Sequence, residues 1–224
     1  MTQQIDFREI LEEQILKPAI ELYNKYQNIV IGIAGGLVLI IVLSVLTITR
    51  LQQTQKRNWE KISIAQSYLH NKMYAEGFKL LDEIINSSKN SKYSAYAMYI
   101  KASFLTDELD NSDYRVAKDL CLKILEINKP KSIIPHTLYL LGQCYQNLGD
   151  FTNAINTYNN FISKYSNHFL TPRVYESLAI TYELADDKEN VRNIYDKMNI
   201  LYPGSYWSNL AQQKLNPTPA VPSK

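Results

Sequence analysis

Residues 135–168 read PHTLYLLGQCYQNLGDFTNAINTYNNFISKYSNH, and residues 172–205 read PRVYESLAITYELADDKENVRNIYDKMNILYPGS. The two stretches follow one pattern. Leu141, Tyr145, Ala154, Tyr158 and Tyr165 recur as Leu178, Tyr182, Val191, Tyr195 and Tyr202, each pair 37 positions apart. A fixed offset over so many positions marks a stacked repeat architecture. Small residues (Gly142, Ala154) alternate with large ones at helical spacing (Leu141, Tyr145, Tyr158). This predicts two helices whose backbones approach at the small residues while the large ones fill the space around them. Gly149-Asp150 is a turn dipeptide between these helices, with Gly149 suited to a left-handed cap. The second copy has Ala185-Asp186-Asp187 there, a weaker turn signal.

Leu138, Leu141, Gly142, Tyr145, Ala154 and Tyr158 resemble the large and small positions of the tetratricopeptide motif, a helix–turn–helix unit of about 34 residues. Two degenerate copies precede these. One has Ile64-Ala65 and Tyr68 in its first helix and Gly77, Leu81 and Ile84 in its second. The other has Met98, Ala102 and Leu105, then Ala117, Cys121 and Ile124, with a longer turn between Asp107 and Asp113. Residues 206–215 predict a last helix that covers the open end of the stack. The expected fold is all-α: one transmembrane helix, then a tetratricopeptide-like α-solenoid of about four repeats.

The run Ile29 to Ile48 carries no charged residue. At about 1.5 Å per residue it is long enough to cross a hydrocarbon core of about 30 Å. Ser44 and Thr47 are its polar side chains, and both can bond back to their own helix. Tyr23 and Tyr26 before it and Arg50 after it suit the two interfaces. Gly32 and Gly36, with Gly35 beside them, form a small-residue face on which another helix can pack. The stretch before the run is long and carries Asp6, Glu9, Glu12, Glu13 and Glu21, unlike the short positive leader of a cleavable signal. A permanent single span is therefore expected. Arg8, Lys17 and Lys25 on one side nearly balance Arg50, Lys56, Arg57 and Lys61 on the other, so charge does not set the orientation. The expected domains are an amphipathic leader at 1–28 with a break near Lys17-Pro18, the span at 29–49, the repeats at 50–215, and a disordered Pro-rich tail at 216–224.

The sequence offers no catalytic constellation, cofactor loop or metal-ligand spacing. His70, His136 and His168 do not share ligand offsets, and no serine sits in a nucleophile elbow. Glu12-Glu13 and Asp186-Asp187 read as solvated surface. Cys121 and Cys144 fall in neighbouring helices at apolar positions and read as buried thiols, a disulfide being the alternative. A formal net charge of +2 gives no field suited to nucleic acid.

Binding of other proteins or peptides is what remains. In the tetratricopeptide family the inner groove is lined by the first helix of each repeat. Carried over by register, that resemblance implies a groove of Tyr96, Tyr99, Ser103 and Thr106, then His136, Tyr139, Gln143 and Gln146, then Arg173, Glu176, Ile180 and Glu183. Such a polar and aromatic surface suits a polypeptide. A leader, one span and a repeat stack of this length also resemble the inner-membrane family of ancillary subunits of the bacterial Sec translocon. That resemblance implies a cytoplasmic N-terminus, a periplasmic repeat domain, and contact with the translocon or periplasmic chaperones. A cytoplasm-facing receptor and a scaffold for envelope or cell-division assembly are the alternatives.

Overall fold

The computed structural model describes residues 12–107 and 113–216. The N-terminal residues of the expected leader, residues 108–112 of the turn between Asp107 and Asp113, and the Pro-rich tail from Pro217 on lie outside the described residues. The described chain is helical throughout, with no strand among the described residues. It divides into two compact units, Met1–Arg57 and Asn58–Lys224.

A π-helical turn, Glu12–Leu16, leads into a long helix α1, Lys17–His70, of which the first unit holds the residues up to Arg57. Pro18 thus falls in the first turn of α1, where its missing N–H is one of the helix's spare donors. The helix is interrupted at Tyr26 (φ −117°, ψ 20°). No Pro or Gly marks that place in the sequence. From Ile31 to Ile48 every side chain is exposed, Leu and Ile included. By length and composition this stretch can cross a bilayer. Its hydroxyls turn inward on the helix: Ser44 Oγ donates to the Ile40 carbonyl and Thr47 Oγ1 to that of Leu43, both at 2.7 Å.

Among the described residues, the second unit contains the C-terminal part of α1, a short 3-10 helix, Lys131–Ile133, and eight further α-helices. These are α2 (Tyr74–Ser87), α3 (Lys92–Asp107), α4 (Tyr114–Ile127), α5 (Ile134–Asn147), α6 (Phe151–Lys164), α7 (Thr171–Leu184), α8 (Lys188–Leu201) and α9 (Tyr206–Leu215). From α2 on, each packs on the next in the chain, and the end of α1 meets α2 where Leu69 lies against Gly77, giving four helix pairs and a closing helix. The second helix of every pair presents the same buried rows: Leu81, Cys121, Tyr158 and Tyr195 in one, Ile84, Ile124, Phe161 and Met198 in the other. All eight are at most 1% exposed, and this stripe is what each pair buries against its neighbours.

The turns inside the pairs are built alike. The backbone N–H groups of Met73, Asp150 and Asp187 each donate at 2.9 Å to the carbonyls of Tyr68, Tyr145 and Tyr182. The residue just before each is left-handed: Lys72 (φ 61°), Gly149 (φ 76°) and Asp186 (φ 55°). The weaker turn signal at Ala185-Asp186-Asp187 therefore makes the same turn without glycine, since a short Asp side chain tolerates that region. Asp113, Asp150 and Asp187 then cap α4, α6 and α8, each accepting from the backbone N–H three residues on.

Candidate partner-binding groove

The first helix of each pair packs on its own second helix and on the previous pair, which leaves a half-exposed stripe. On that stripe lie the positions carried over by register. Tyr96, Tyr99, Ser103, His136, Tyr139, Gln143, Gln146, Glu176 and Ile180 are half-buried, Arg173 and Glu183 exposed, and Thr106 buried. They divide into two groups by what already engages them.

One group is spent within the fold. Ser103 Oγ donates to the Ile100 carbonyl at 3.0 Å and Thr106 Oγ1 to that of Ser103 at 2.9 Å, so both hydroxyls serve their own helix. Gln146 Oε1 accepts from Tyr158 Oη at 3.3 Å and from Thr181 Oγ1 at 3.0 Å. It ties α5 to its partner α6 and to α7 of the next pair. Glu183, 37 positions on, accepts from Tyr195 Oη at 3.0 Å and lies 3.4 Å from Lys214 Nζ of α9. The same repeat position therefore joins neighbouring repeats twice. Burial pushes the phenols of Tyr158 and Tyr195 far up, and the Glu183 carboxylate adds to the shift at Tyr195.

The other group is aromatic. Tyr96 and Tyr99 of α3 and His136 of α5 meet around a cleft of about 430 Å³ that Trp59 closes on its far side. Trp59 and Tyr96 have ring centroids 5.1 Å apart, and Tyr99 and His136 6.3 Å apart. Tyr96 Oη and Ser132 Oγ are hydrogen-bonded at 3.2 Å. Below them, Gln143 Nε2 donates to Tyr139 Oη at 3.2 Å. The ring contacts continue from His136 to His168 (5.5 Å) and Phe169 (5.6 Å), the latter 73% exposed. Burial, and then the neighbouring His136, hold His168 below the usual imidazole range.

Trp59 and Phe169 are not among the residues the register reading picked out. Trp59 had a signal. The spacing from Ala65 back to Trp59 equals that from Gly142 back to His136 and from Ala102 back to Tyr96. It is the same groove position in the most degenerate copy. Phe169 sits in a connection between repeats, where the motif has no fixed position.

No cluster of three or more His, Cys, Asp or Glu residues suited to a metal occurs among the described residues. Cys121 and Cys144 are free and fully buried. Their mutual hydrogen bond, with burial, pushes the Cys121 thiol well up and holds its proton in place.

Fold and groove together define a tetratricopeptide-like α-solenoid, an architecture of protein–protein interaction scaffolds. The third helix pair, residues 136–168, matches the tetratricopeptide repeat family itself. Among solved structures, MamA from AMB-1 shares 20% identity over 70% of this chain and 78% of its own, at a TM-score of 0.52. A Podosopora anserina putative kinesin light chain with nearly identical TPR-like repeats shares 14% identity, at a TM-score of 0.53. That likeness covers 72% of this chain and 78% of that one. At these identities the likeness is one of fold. No curated protein matches the chain in sequence.

Proposed function

We propose that this chain is a single-pass membrane scaffold that holds a polypeptide partner close to the bilayer. Its N-terminus is cytoplasmic and its repeats are periplasmic in a bacterial inner membrane, at or near the protein translocon. The observation that carries the reading is the apolar stretch of α1, exposed all round from Ile31 to Ile48. About twenty apolar residues have no low-energy place in water, and a bilayer supplies one. Burial inside a globule is the other solution for such a helix, and the exposure of these side chains speaks against it. The second support is the aromatic, half-exposed face of the first helices, which suits a peptide better than a small metabolite.

Gly32 and Gly36 have open space where a Cβ would sit, which leaves a face for a second membrane helix. Placement at the translocon and in the periplasm rests on the architectural resemblance alone. A cytoplasm-facing receptor is the reading that the near balance of positive residues around the span keeps open. Two experiments test the proposal. The chain should resist alkaline extraction from membranes, and a cysteine added to the repeat unit should react with an impermeant reagent in spheroplasts. Extraction by alkali would remove the anchor, and protection from the reagent would invert the orientation. A pulldown by the chain should be lost on Tyr139→Ala combined with Gln143→Ala, and retained binding would move the site off this face.

A further inference from the structure

We propose that the cleft over the first three repeats takes a proline-bearing, uncharged segment of a partner polypeptide, bound in the polyproline II conformation. This deepens the scaffold reading above and rests on it. Trp59, Gln66, Tyr96, Tyr99, Ser132 and His136 line the cleft with three isoleucines, and no Lys, Arg, Asp or Glu is among the lining residues. The cleft at the other end of the stack is the opposite, lined by Glu183, Asp186, Arg192 and Lys214 among others. A charged segment would lose its hydration in the aromatic cleft with no partner to compensate. An uncharged one is complementary to it.

Geometry narrows the occupant further. Peptides are recognised by a few modes. Strand addition needs a free sheet edge, and the described residues contain no strand. Recognition of an acidic or phosphorylated motif needs a basic cluster, which this cleft lacks. A helix in a groove has spent its interior carbonyls on itself, so along its length its backbone offers little to neutral donors. This cleft carries several such donors: the one hydroxyl hydrogen that the Tyr96–Ser132 bond leaves over, the Gln66 amide and the Trp59 indole N–H. A polyproline II segment has no internal hydrogen bonds and leaves its carbonyls available.

The rings complete the match. Trp59 and Tyr96 are tilted at 59°, and Tyr99 and His136 stand at 79°. Neither pair is stacked face to face, and the tilted rings form apolar walls between which a pyrrolidine ring can pack. Tyr96 and Tyr99 are three residues apart on α3, which places the two ring pairs one helical turn apart along the cleft. A segment pre-set in one extended conformation also loses little entropy on binding such a shallow site.

The test uses the full chain in detergent with Trp207→Phe, which leaves Trp59 as the sole tryptophan of the two. The probe is a capped oligoproline peptide, with a capped alanine-rich helical peptide and a capped acidic peptide as controls. Oligoproline should shift Trp59 emission to the blue in a saturable way, at roughly tenfold lower concentration than either control. Trp59→Ala should weaken binding of labelled oligoproline by about tenfold or more, and Trp59→Phe should recover part of it. Circular dichroism of each variant separates loss of the site from loss of the fold. No emission change, or an equal response to the controls, overturns the inference. Ending the chain at Asn216 removes Pro217, Pro219 and Pro222. A rise of about tenfold in oligoproline affinity on that truncation would make this chain's own tail the occupant and overturn the commitment to a separate partner. If oligoproline fails while a photoreactive group at position 99 still captures polypeptide, the inference falls and the scaffold reading stands. If both fail, both fall.

Discussion

Replacing Gly142 by alanine tests the packing that makes the repeat. A Cβ at Gly142 would overlap Cε1 of Tyr158 and stand 2.7 Å from its Cδ1 and Cζ. Tyr158 is 0% exposed, so its ring has nowhere to swing. Two effects oppose each other. Alanine gains about 1 kcal/mol over glycine in a helix interior. Overpacking a filled core costs about 1–3 kcal/mol. The overlap is deep and the ring is trapped, so the second effect wins, with a net loss of about 1–2 kcal/mol. The next repeat shows what accommodation requires, because Ala179 sits at the equivalent place beside buried Tyr195. Helices α5 and α6 must move apart to admit the Cβ. In a chain of this size a loss of 1–2 kcal/mol lowers the melting temperature by about 2–8 °C, read by circular dichroism. Combining Gly142→Ala with Tyr158→Leu removes the ring that Cβ strikes. The double variant should therefore be more stable than the sum of the two changes by about 1 kcal/mol. An unchanged or higher melting temperature for Gly142→Ala, or strict additivity in the pair, would refute the close-approach argument.

Gln146→Ala should cost about 1–3 kcal/mol, because Tyr158 Oη loses its acceptor while Thr181 keeps the Ser177 carbonyl; urea unfolding checks it. The two bonds from Asn190 hold the Asp187 carboxyl below its usual value of 3.8. A carboxylate lowered on folding stabilises above its unfolded pKa, and that stability fades as pH falls through the lowered value. The wild type should therefore lose melting temperature below about pH 3.8 more steeply than Asp187→Asn, and parallel acid limbs would contradict this. Cys121 and Cys144 should resist thiol reagents at mildly alkaline pH in the native chain and react together on denaturation, and fast native labelling of Cys121 would contradict its raised pKa.

The helix pairs were legible because their signal is local. A constant offset carries Leu141, Ala154 and Tyr158 onto Leu178, Val191 and Tyr195, and buried rows at that spacing produce the same hairpin each time. The closing helix at Tyr206–Leu215 was legible for the same reason. The interruption at Tyr26 was not, since neither Pro nor Gly marks it. The groove was legible only in part. Register places Tyr96, Tyr99 and His136 on one stripe, and the structure gathers them at one cleft. The same register places Gln146 there, yet hydroxyls from two other helices claim it. Motif position says which way a residue faces, whereas its availability depends on side chains from elements distant in sequence. Trp59 was within reach, had the offset from Gly142 to Ala65 been carried back to His136.

Photocrosslinking in intact membranes shows where on the repeats a polypeptide sits. A photoreactive phenylalanine replaces Tyr99 in the cleft in one strain and the exposed Asp119 of α4 in another. A polypeptide adduct is expected from position 99 and none from position 119. Equal adducts from both positions, or an adduct from 119 alone, would contradict it.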